Sequence, residues 1–447
     1  MAHAAHGGMA GHGLRGGLRA ELRACAPPAR AQPLCCGRMN APTDHAFAQA
    51  KTLFLDAVGL TEAGRHAEAE TRLEAAAALV PDRPSTLLNL GVVRLRLGRP
   101  GDALRALDAL AALDPANPAG RFQRALALNQ LGRHAEALAL LDALLADHPA
   151  TAAAHQLRGQ TLQALERHAD ALPAYERALA LDPGLAEAGL LLGQLLRDMQ
   201  RPAAARAAFE QALASGADAA LCRYFLAGLG AGATPTSAPQ AYVRGLFDSY
   251  ADDFEPHLLD VLRYRAHEAV AQAAAAVLAG TPVDTALDLG CGTGLCGPLL
   301  RPLARRLHGL DLSPTMLAQA RARGCYDLLV QADLAAHLQE TPERYGLVAA
   351  ADVFIYVGAL EAVFAGLRRV LQPGGVVAFS VELSDGEALQ LRPSLRYAHG
   401  VAHLRTLAAQ HGLDIVREQT LVLREDQRLP IQGLVLCLRA PGVAGAG

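Results

Sequence analysis

One constant period runs through the first half of this chain. A proline, an arginine and an alanine each return at the same step. They are Pro81, Pro115, Pro149 and Pro183; Arg65, Arg99, Arg133, Arg167 and Arg201; and Ala69, Ala103, Ala137, Ala171 and Ala205. A repeat of this length holds one supersecondary unit that cannot bury its apolar face alone. The period therefore predicts an elongated stack of units that share one core.

Each unit is predicted to contain two amphipathic helices. A glycine ends the first helix in a short turn before the first three arginines, and the proline begins the connection to the next unit, because it cannot continue a helix. Gly91, Gly159 and Gly193 should allow the helices to cross closely, with large residues such as Tyr175 and Phe209 filling the gap. This pattern resembles tetratricopeptide repeats, which implies an all-α solenoid of five units over about residues 50–219.

The resemblance also implies a concave groove lined mainly by amides. The groove positions carry Asn129, Gln130, Gln156, Gln160, Gln163, Gln194 and Arg197. Amides offer both hydrogen-bond donors and acceptors, which suits an extended peptide backbone. We therefore predict a protein or peptide partner in this groove. The alternative is a concave face that carries amides only because it is solvated.

The second half of the chain is defined by the stretch Leu287-Asp-Leu-Gly-Cys-Gly-Thr-Gly294. It is typical of a buried strand that breaks into a glycine-rich turn before a helix. Asp311 ends the next apolar run, where a second parallel strand should end. Glycines let backbone amides approach a ligand closely, and a carboxylate at that strand end can accept both hydroxyls of a ribose. The pattern predicts a nucleoside-type cofactor on an open parallel sheet.

Two classes of nucleoside cofactor must be weighed. The segment 292–297 fits the dinucleotide pattern G-x-G-x-x-G, so a nicotinamide-dependent oxidoreductase is one alternative. Three features favour another cofactor. Asp288 lies within the strand, where a dinucleotide strand is normally apolar; Ser313 and Pro314 form a helix start after Asp311; and residues 371–379 place a tight turn directly before another buried strand.

This ordered set of motifs resembles the class I S-adenosylmethionine-dependent methyltransferases over about residues 240–440. The resemblance implies a Rossmann-like α/β domain with a mixed seven-stranded sheet, S-adenosyl-L-methionine as cofactor, and no metal. The three loop glycines would face the methionine part, Asp288 its ammonium or the loop itself, and Asp311 the ribose. Leu312 and Asp333 would meet the adenine. The glycines so implied are Gly290, Gly292 and Gly294.

Residues 241–258 are similar to the first helix of a bacterial family of repeat-containing methyltransferases, whose pattern is F-D-x-Y-A-x-x-F-x-x-H-L. By that resemblance Tyr250 lies over the bound cofactor, where an aromatic face attracts a sulfonium, and Arg244 helps to hold its carboxylate. The alternative for this helix is simple packing on the sheet.

The acceptor side is predicted from the motif Leu395-Arg-Tyr-Ala-His-Gly400, since the family carries a similar R-Y-A-H element. His399 and Tyr397 are the predicted catalytic residues, as proton acceptor or substrate clamp. A structural role for His399 is the alternative. His257 and Tyr356 are further candidates, and Asp352 is an uncertain member of the site because the N-P-P-Y tetrad of amino-methylating enzymes is absent around it.

The sequence also predicts the boundaries between the domains. We predict a disordered or low-complexity arm over 1–49, repeats with a capping helix over 50–226, a Gly/Pro linker over 227–240, and the methyltransferase domain over 241–440. Within the arm, the segment 1–38 carries five arginines and one glutamate, which allows either a disordered segment or a natural start at Met39.

The net charge of −3 gives no reason to expect nucleic-acid binding. No apolar run is long enough to predict a membrane span, and cysteines without metal-site spacing suit the cytoplasm. The sequence thus predicts methyl transfer to an unidentified acceptor, with a protein or carrier-bound substrate that the repeats recruit as the candidate. The alternative is a repeat scaffold whose domain binds the cofactor but is catalytically silent.

Overall fold

The computed structural model describes residues 44–250, 254–426 and 428–442. Their contacts divide them into two compact units, one ending at Ala217 and the other beginning at Asp218. Most of the arm predicted over 1–49 lies outside the described residues. Its end, from Asp44 onward, already belongs to the first helix.

The N-terminal unit is all-α and confirms the predicted solenoid. Between residues 44 and 217, ten helices follow each other in five pairs whose members pack on one another. They are α1 Asp44–Glu62, α2 His66–Leu79, α3 Pro84–Arg96, α4 Pro100–Leu113, α5 Pro118–Gln130, α6 His134–Asp147, α7 Ala152–Ala164, α8 His168–Leu181, α9 Ala186–Asp198 and α10 Pro202–Ala214.

The small residues of the repeat lie where the two helices of a pair cross. A Cβ placed on Gly91, Gly159 or Gly193 would come within 2.5–2.7 Å of a large side chain on the second helix of the same pair. For Gly159 and Gly193 that side chain is Tyr175 and Phe209, both fully buried. The predicted packing of small against large residues is therefore confirmed.

The C-terminal unit is an α/β domain. Its helices are α11 Ala219–Gly228, α12 Gln240–Tyr250, α13 Ala266–Leu278, α14 Gly297–Leu300, α15 Pro314–Ala322, α16 Leu334–Glu340, α17 Glu361–Val370 and α18 Val401–Gln410, with short helical turns at Phe254–Val261, Arg301–Leu303 and Phe354–Tyr356. Its strands are β1 Val283–Leu289, β2 Ala304–Asp311, β3 Leu328–Gln331, β4 Tyr345–Ala350, β5 Leu371–Leu383, β6 Leu389–Leu391, β7 Tyr397–His399, β8 Asp414–Asp426 and β9 Leu429–Arg439.

Seven of these strands form the predicted mixed sheet, in the order β3-β2-β1-β4-β5-β9-β8. The first five are parallel, and β9 and β8 are antiparallel to their neighbours. Within the described residues the sheet has nine strands, because β6 and β7 add to it. The reason is the length of β5: β4 pairs with it only as far as Phe379, so the edge at Glu382 and Leu383 is left for β7.

Helices cover both faces of the sheet. Successive strand residues alternate between two apolar clusters, as period-two geometry requires. Leu287 and Leu289 belong to the cluster under α16, α17 and α18, whereas Ala286 belongs to the cluster under α13. The carboxyl ends of the parallel strands remain at one edge, where open sheets of this kind bind ligands.

The unit boundary places α11 in the C-terminal unit, whereas the sequence predicted a helix that caps the repeats. The Tyr224 hydroxyl donates a hydrogen bond to the carbonyl of Leu395 at 2.5 Å. The Tyr224 ring lies 5.5 Å from that of Tyr242 on α12 and 6.2 Å from that of Tyr397 in β7. This aromatic contact explains why α11 packs on the α/β domain.

The end of the predicted linker is also part of the domain. The amides of Gly358 and Ala359 both donate to the carbonyl of Thr236, at 3.0 and 2.8 Å. The amide of Ala238 donates to the carbonyl of Tyr356 at 3.0 Å. Residues 236–238 are therefore bound along the segment that follows β4. Among the described residues, no helix is both long and apolar enough to cross a membrane.

Candidate functional site

The loop that follows β1, which we call the glycine loop, carries glycine at three positions where a side chain would be unfavourable or would fill open space. Gly290, Gly292 and Gly294 all have positive φ, at 71°, 54° and 89°, a region that other residues rarely adopt. A Cβ on Gly290 would lie 2.6 Å from Val353, and one on Gly294 would lie 2.9 Å from Arg323. A Cβ on Gly292 would meet no described atom within 4 Å. The loop thus keeps open space beside Gly292, as a ligand-binding turn should.

Asp311 lies at the carboxyl end of β2 and faces this loop. Its Oδ2 accepts a hydrogen bond from the amide of Gly292, and its Oδ1 accepts one from the amide of Ser313, both at 2.9 Å. Burial raises the pKa of Asp311, against the lowering effect of the two amides. Each carboxylate oxygen has a second lone pair, so the side chain can still accept ligand hydroxyls. The structure brings the predicted loop and acid together.

Asp288 lies beneath the loop and is 1% exposed. The hydroxyl of Tyr326 donates a hydrogen bond to its Oδ2 at 2.6 Å. Burial raises the pKa of Asp288 to about 7; the Tyr326 hydrogen bond lowers it and the charge of Asp311 raises it further. Sequence reasoning missed Tyr326. The glycines at 297 and 309 are the signal that a large side chain packs here, because a Cβ on Gly297 or Gly309 would come 2.9–3.0 Å from the tyrosine ring.

Helix α12 connects to three of the parallel strands at their carboxyl ends. Beyond β2, Ser313 Oγ caps α15 as predicted, at 3.1 Å from the amide of Met316, and donates to Asp248 Oδ1 of α12 at 2.5 Å. Beyond β4, the Phe247 ring meets Tyr356 edge-on at 5.5 Å. Leu312 is half-buried between Asp311 and the cap.

Beyond β3, Asp333 caps α16 through its Oδ1, at 2.9 Å from the amide of Ala336. Its Oδ2 accepts a hydrogen bond from Gln240 Nε2 of α12 at 2.8 Å. Asp333 therefore stands at the predicted edge, and its contact with adenine stays a prediction. Arg244 is exposed on α12. The side chain of Tyr250 lies outside the described part of the structure, as does that of His257.

His399 and Tyr397 lie in strand β7 and are fully buried, whereas the sequence predicted a polar loop. His399 Nε2 donates to the carbonyls of Val357 and Gly358, at 3.1 Å each. Burial lowers the pKa of His399 to about 4, so its ring is neutral at pH 7. Tyr397 donates to the carbonyl of Pro235 at 2.8 Å. These main-chain contacts favour a structural role for both residues.

A buried network of acids and arginines lies nearby, and the sequence did not predict it. We call Asp352, Glu382 and Arg424 the Asp352 triad. Arg424, which is 1% exposed, pairs with Asp352 after β4 and with Glu382 in β5. Arg392 lies 3.7 Å from Glu382, and Arg396 lies 3.6 Å from Asp426. Burying so many charges is unfavourable unless they are paired, and such clusters are frequent at functional sites.

In the repeat unit, several predicted groove amides bind their own chain. Asn129 Nδ2 donates to Thr161 Oγ1 and its Oδ1 meets His134 Nδ1, both at 2.8 Å. The Tyr175 hydroxyl donates to Gln163. Gln156 and Gln194 are buried, and Arg197 pairs with Asp198 at 2.9 Å. Gln130 is exposed and Gln160 half-buried, so these two are the better candidates for a partner.

Both halves of the chain match known families. A family model described as a methyltransferase domain matches residues 287–379. A tetratricopeptide repeat model matches residues 57–118, 88–149, 122–186 and 190–244. The first match covers the glycine loop, Asp311 and the first part of β5, and it favours S-adenosylmethionine over a dinucleotide.

Curated relatives match the C-terminal unit. Malonyl-[acyl-carrier protein] O-methyltransferase of Salmonella typhimurium is 30% identical over 156 residues, which are 34% of this chain and 61% of the relative. Methyltransferase-like protein 27 of Homo sapiens is 32% identical over 33% of this chain and 61% of the relative. Trans-aconitate 2-methyltransferase of Paracidovorax citrulli is 37% identical over 24% and 42%.

The chain spans only about two-fifths to three-fifths of the length of these relatives. The glycine loop, the facing Asp311 and the capped α15 nonetheless form one arrangement at the carboxyl edge of a parallel sheet. The chain thus joins tetratricopeptide repeats to a methyltransferase domain.

Proposed function

We propose that the protein transfers the methyl group of S-adenosylmethionine to an acceptor that a protein partner presents. The observation that carries the cofactor part is the open side of Gly292 beside the carboxylate of Asp311. A nucleoside whose sugar hydroxyls face Asp311 would lie beside the open side of Gly292. The methyltransferase-domain match over residues 287–379 supports the same cofactor.

The residues of the loop bind and orient the cofactor. Asp311 holds the ribose, the amides around Gly292 face the methionine part, and Asp288 lies beneath the loop as a partner for the ammonium. Leu312 packs on the adenine, Asp333 accepts from its amino group, and residues of α12 cover the site from above, with Arg244 and Tyr250 on that helix. When bound, the cofactor supplies a methyl group on a sulfonium. The chain's main task is to align it with the acceptor, and positioning can account for about 7–11 kcal/mol of the barrier.

The repeats support a presented acceptor. Tetratricopeptide units stack into an extended concave surface, and Gln130 and Gln160, which are predicted to line it, are exposed and half-buried respectively. One relative is named as a methyltransferase of an acyl group on a carrier protein. By analogy, we propose a protein or a carrier-bound group as the acceptor of this chain. A silent scaffold is the competing function, and it differs in one respect: it binds the cofactor without turnover.

Calorimetric titration of the full chain with S-adenosylhomocysteine tests the cofactor site. Hydrogen bonds to a charged group contribute about 1.5–3 kcal/mol, so Asp311→Ala should weaken binding roughly ten- to a hundredfold. Gly292→Val should weaken it further, because the side chain fills the space that the loop keeps open. Asp284→Ala, at an exposed site on the opposite end of β1, is the matched control and should bind normally.

An unchanged dissociation constant in both Asp311→Ala and Gly292→Val would remove the glycine loop from the proposal. Turnover then separates an enzyme from a scaffold. The full chain is incubated with methyl-labelled S-adenosylmethionine and a lysate from its source organism after deletion of the gene. Binding without any transfer of label would identify the silent scaffold.

A further inference from the structure

We propose that Asp352 receives the methyl acceptor, through a hydrogen bond from the acceptor's nucleophilic N–H or O–H to its Oδ1. The acceptor would then be an amine or an alcohol rather than a carboxylate. This inference rests on the proposed methyl transfer and adds to it the chemical class of the acceptor and the residue that binds it.

Asp352 lies close to the glycine loop. Strand β4 ends at Ala350, so Asp352 stands in the turn at the carboxyl edge of the sheet. The next residue, Val353, contacts the glycine loop, because a Cβ on Gly290 would lie 2.6 Å from its methyl group. Asp352 is therefore next in sequence to a residue that contacts the glycine loop.

The backbone at Asp352 is held in a left-handed conformation. Its φ is +59°, in a region that aspartate adopts more readily than most residues with a Cβ, though at a cost relative to the right-handed regions. Its amide donates to the hydroxyl of Ser380, a fully buried residue in β5, at 2.8 Å. Such conformations persist only where the surroundings enforce them, and they concentrate at functional sites.

The two carboxylate oxygens of Asp352 have different surroundings. Oδ2 pairs with Arg424, whose guanidinium is fixed by Glu382 on its other side. Oδ1 is buried, and no donor within the described residues reaches it. A buried carboxylate oxygen without a donor is unfavourable. The triad thus presents one oriented acceptor atom that calls for an external hydrogen-bond donor.

The negative charge of Asp352 decides which class of nucleophile can hydrogen-bond to its Oδ1. A carboxylate acceptor has no proton to donate and would be repelled by Asp352. It would need a spare cation, but Arg424, Arg392 and Arg396 each have an acid of the chain within 4 Å. An N–H or O–H nucleophile satisfies Oδ1 instead. As its lone pair bonds to the methyl carbon, the carbon–sulfur bond breaks with its electrons left on sulfur. The released proton passes to Asp352 and then to solvent.

The test compares the native full chain with Asp352→Asn, and with Asp284→Asn as an exposed control. Asp352→Asn should bind S-adenosylhomocysteine with an unchanged dissociation constant, while label transfer from methyl-labelled S-adenosylmethionine to the lysate falls by about 100-fold or more, the contribution typical of proton transfer. The transferred label should resist mild alkali, which releases methanol from methyl esters. Hot hydriodic acid then distinguishes methyl ethers, which it cleaves, from N-methyl groups, which survive.

Alkali-labile label would overturn the inference, because it identifies a carboxylate acceptor. Alkali-stable label that Asp352→Asn transfers as well as the native chain would overturn it too. Cofactor binding without transfer by the native chain would leave no acceptor for Asp352 and contradict both the inference and the enzymatic proposal. Failure of the native chain to bind S-adenosylhomocysteine would contradict the proposed cofactor itself. Thermal unfolding of Asp352→Asn checks that the variant is folded.

Discussion

Two carboxylates serve the glycine loop, and their surroundings give them different properties. Asp311 accepts two backbone amides, which favour its ionised form. Asp288 is buried with one phenolic donor, and its pKa rises to about 7. Titratable groups that differ in this way often divide the roles of a site. Here the two amides that Asp311 accepts oppose the rise in its pKa that burial causes, while the charge of Asp288 depends on pH near neutrality.

Cofactor affinity should therefore depend on pH. The pKa of Asp288 is raised from 3.8 to about 7, so its carboxyl group is neutral below that pH and charged above it. The ammonium of the cofactor is bound better by the charged form. The affinity for S-adenosylhomocysteine should rise as the pH increases through about 7 and level off above it. Calorimetry over about pH 5–9, a range that brackets this value, measures the midpoint.

Two variants separate this effect from general damage. Tyr326→Phe removes a hydrogen bond that lowers the pKa of Asp288, so the midpoint should move to higher pH. Asp288→Asn cannot ionise and should bind weakly with little dependence on pH. If the affinity of the native chain for S-adenosylhomocysteine does not change over about pH 5–9, Asp288 does not contact the ammonium.

Local features of the site could be predicted from the sequence, and long-range ones could not. The glycines, Asp311 and the Ser313 cap lie within short motifs whose geometry follows from residue type. Tyr326 and Asp288 lie far apart in the sequence, and so do Arg424 and Asp352. Only the folded sheet brings such pairs together. His399 shows the opposite limit: its motif was recognised, but its burial in β7 follows from the length of β5.

At the level of elements, the turn inside each repeat has one backbone geometry and two kinds of residue. Gly64, Gly98 and Gly132 have φ of 77°, 70° and 74°. The equivalent positions of the fourth and fifth units carry Glu166 and Gln200, with φ of 59° and 57°. The left-handed turn is thus enforced by packing of the helix pair even where glycine is absent.

Substitutions at these turns should have opposite effects. A left-handed conformation costs a residue with a Cβ roughly 1–2 kcal/mol, while glycine costs about 0.5–1 kcal/mol in backbone entropy. Gly132→Ala should destabilise the repeat unit by up to about 1 kcal/mol, and Glu166→Gly should stabilise it by a similar amount. Calorimetric melting of the full chain measures both. A lower melting temperature for Glu166→Gly would show that its side chain has a stabilising role which the turn geometry does not explain.

The element boundaries were less predictable than the elements. The period of the repeats predicted the helix pairs, because it depends on regular spacing, whereas the seven-stranded sheet was implied by the resemblance to methyltransferases. Helix α11 follows the last repeat directly and is apolar, so either unit could bury it. Its assignment depends on the aromatic contacts of Tyr224 with Tyr242 and Tyr397, which no periodicity reveals. The short strands β6 and β7 carry too few residues to show a pattern.

At the level of the whole molecule, each of the two compact units has its own core, and the glycine loop belongs entirely to the C-terminal unit. Their role in the proposed function is recruitment. Of the predicted groove amides, Asn129 and Gln163 already form hydrogen bonds with other side chains of the repeat domain. A test of recruitment must therefore avoid these residues, because their loss would disturb the solenoid as well as a partner.

Gln130→Ala combined with Gln160→Ala is the sharper variant. Each amide hydrogen bond contributes about 0.5–1.5 kcal/mol, so losing two should reduce label transfer to a protein-presented acceptor roughly tenfold or more, through a higher KM. Affinity for S-adenosylhomocysteine and the melting temperature should not change. Glu176→Ala, at an exposed position on α8, should behave like the native chain. Gln163→Ala should instead lower the melting temperature, because Tyr175 loses its acceptor. Undiminished transfer by the double variant would exclude these two amides from acceptor recruitment.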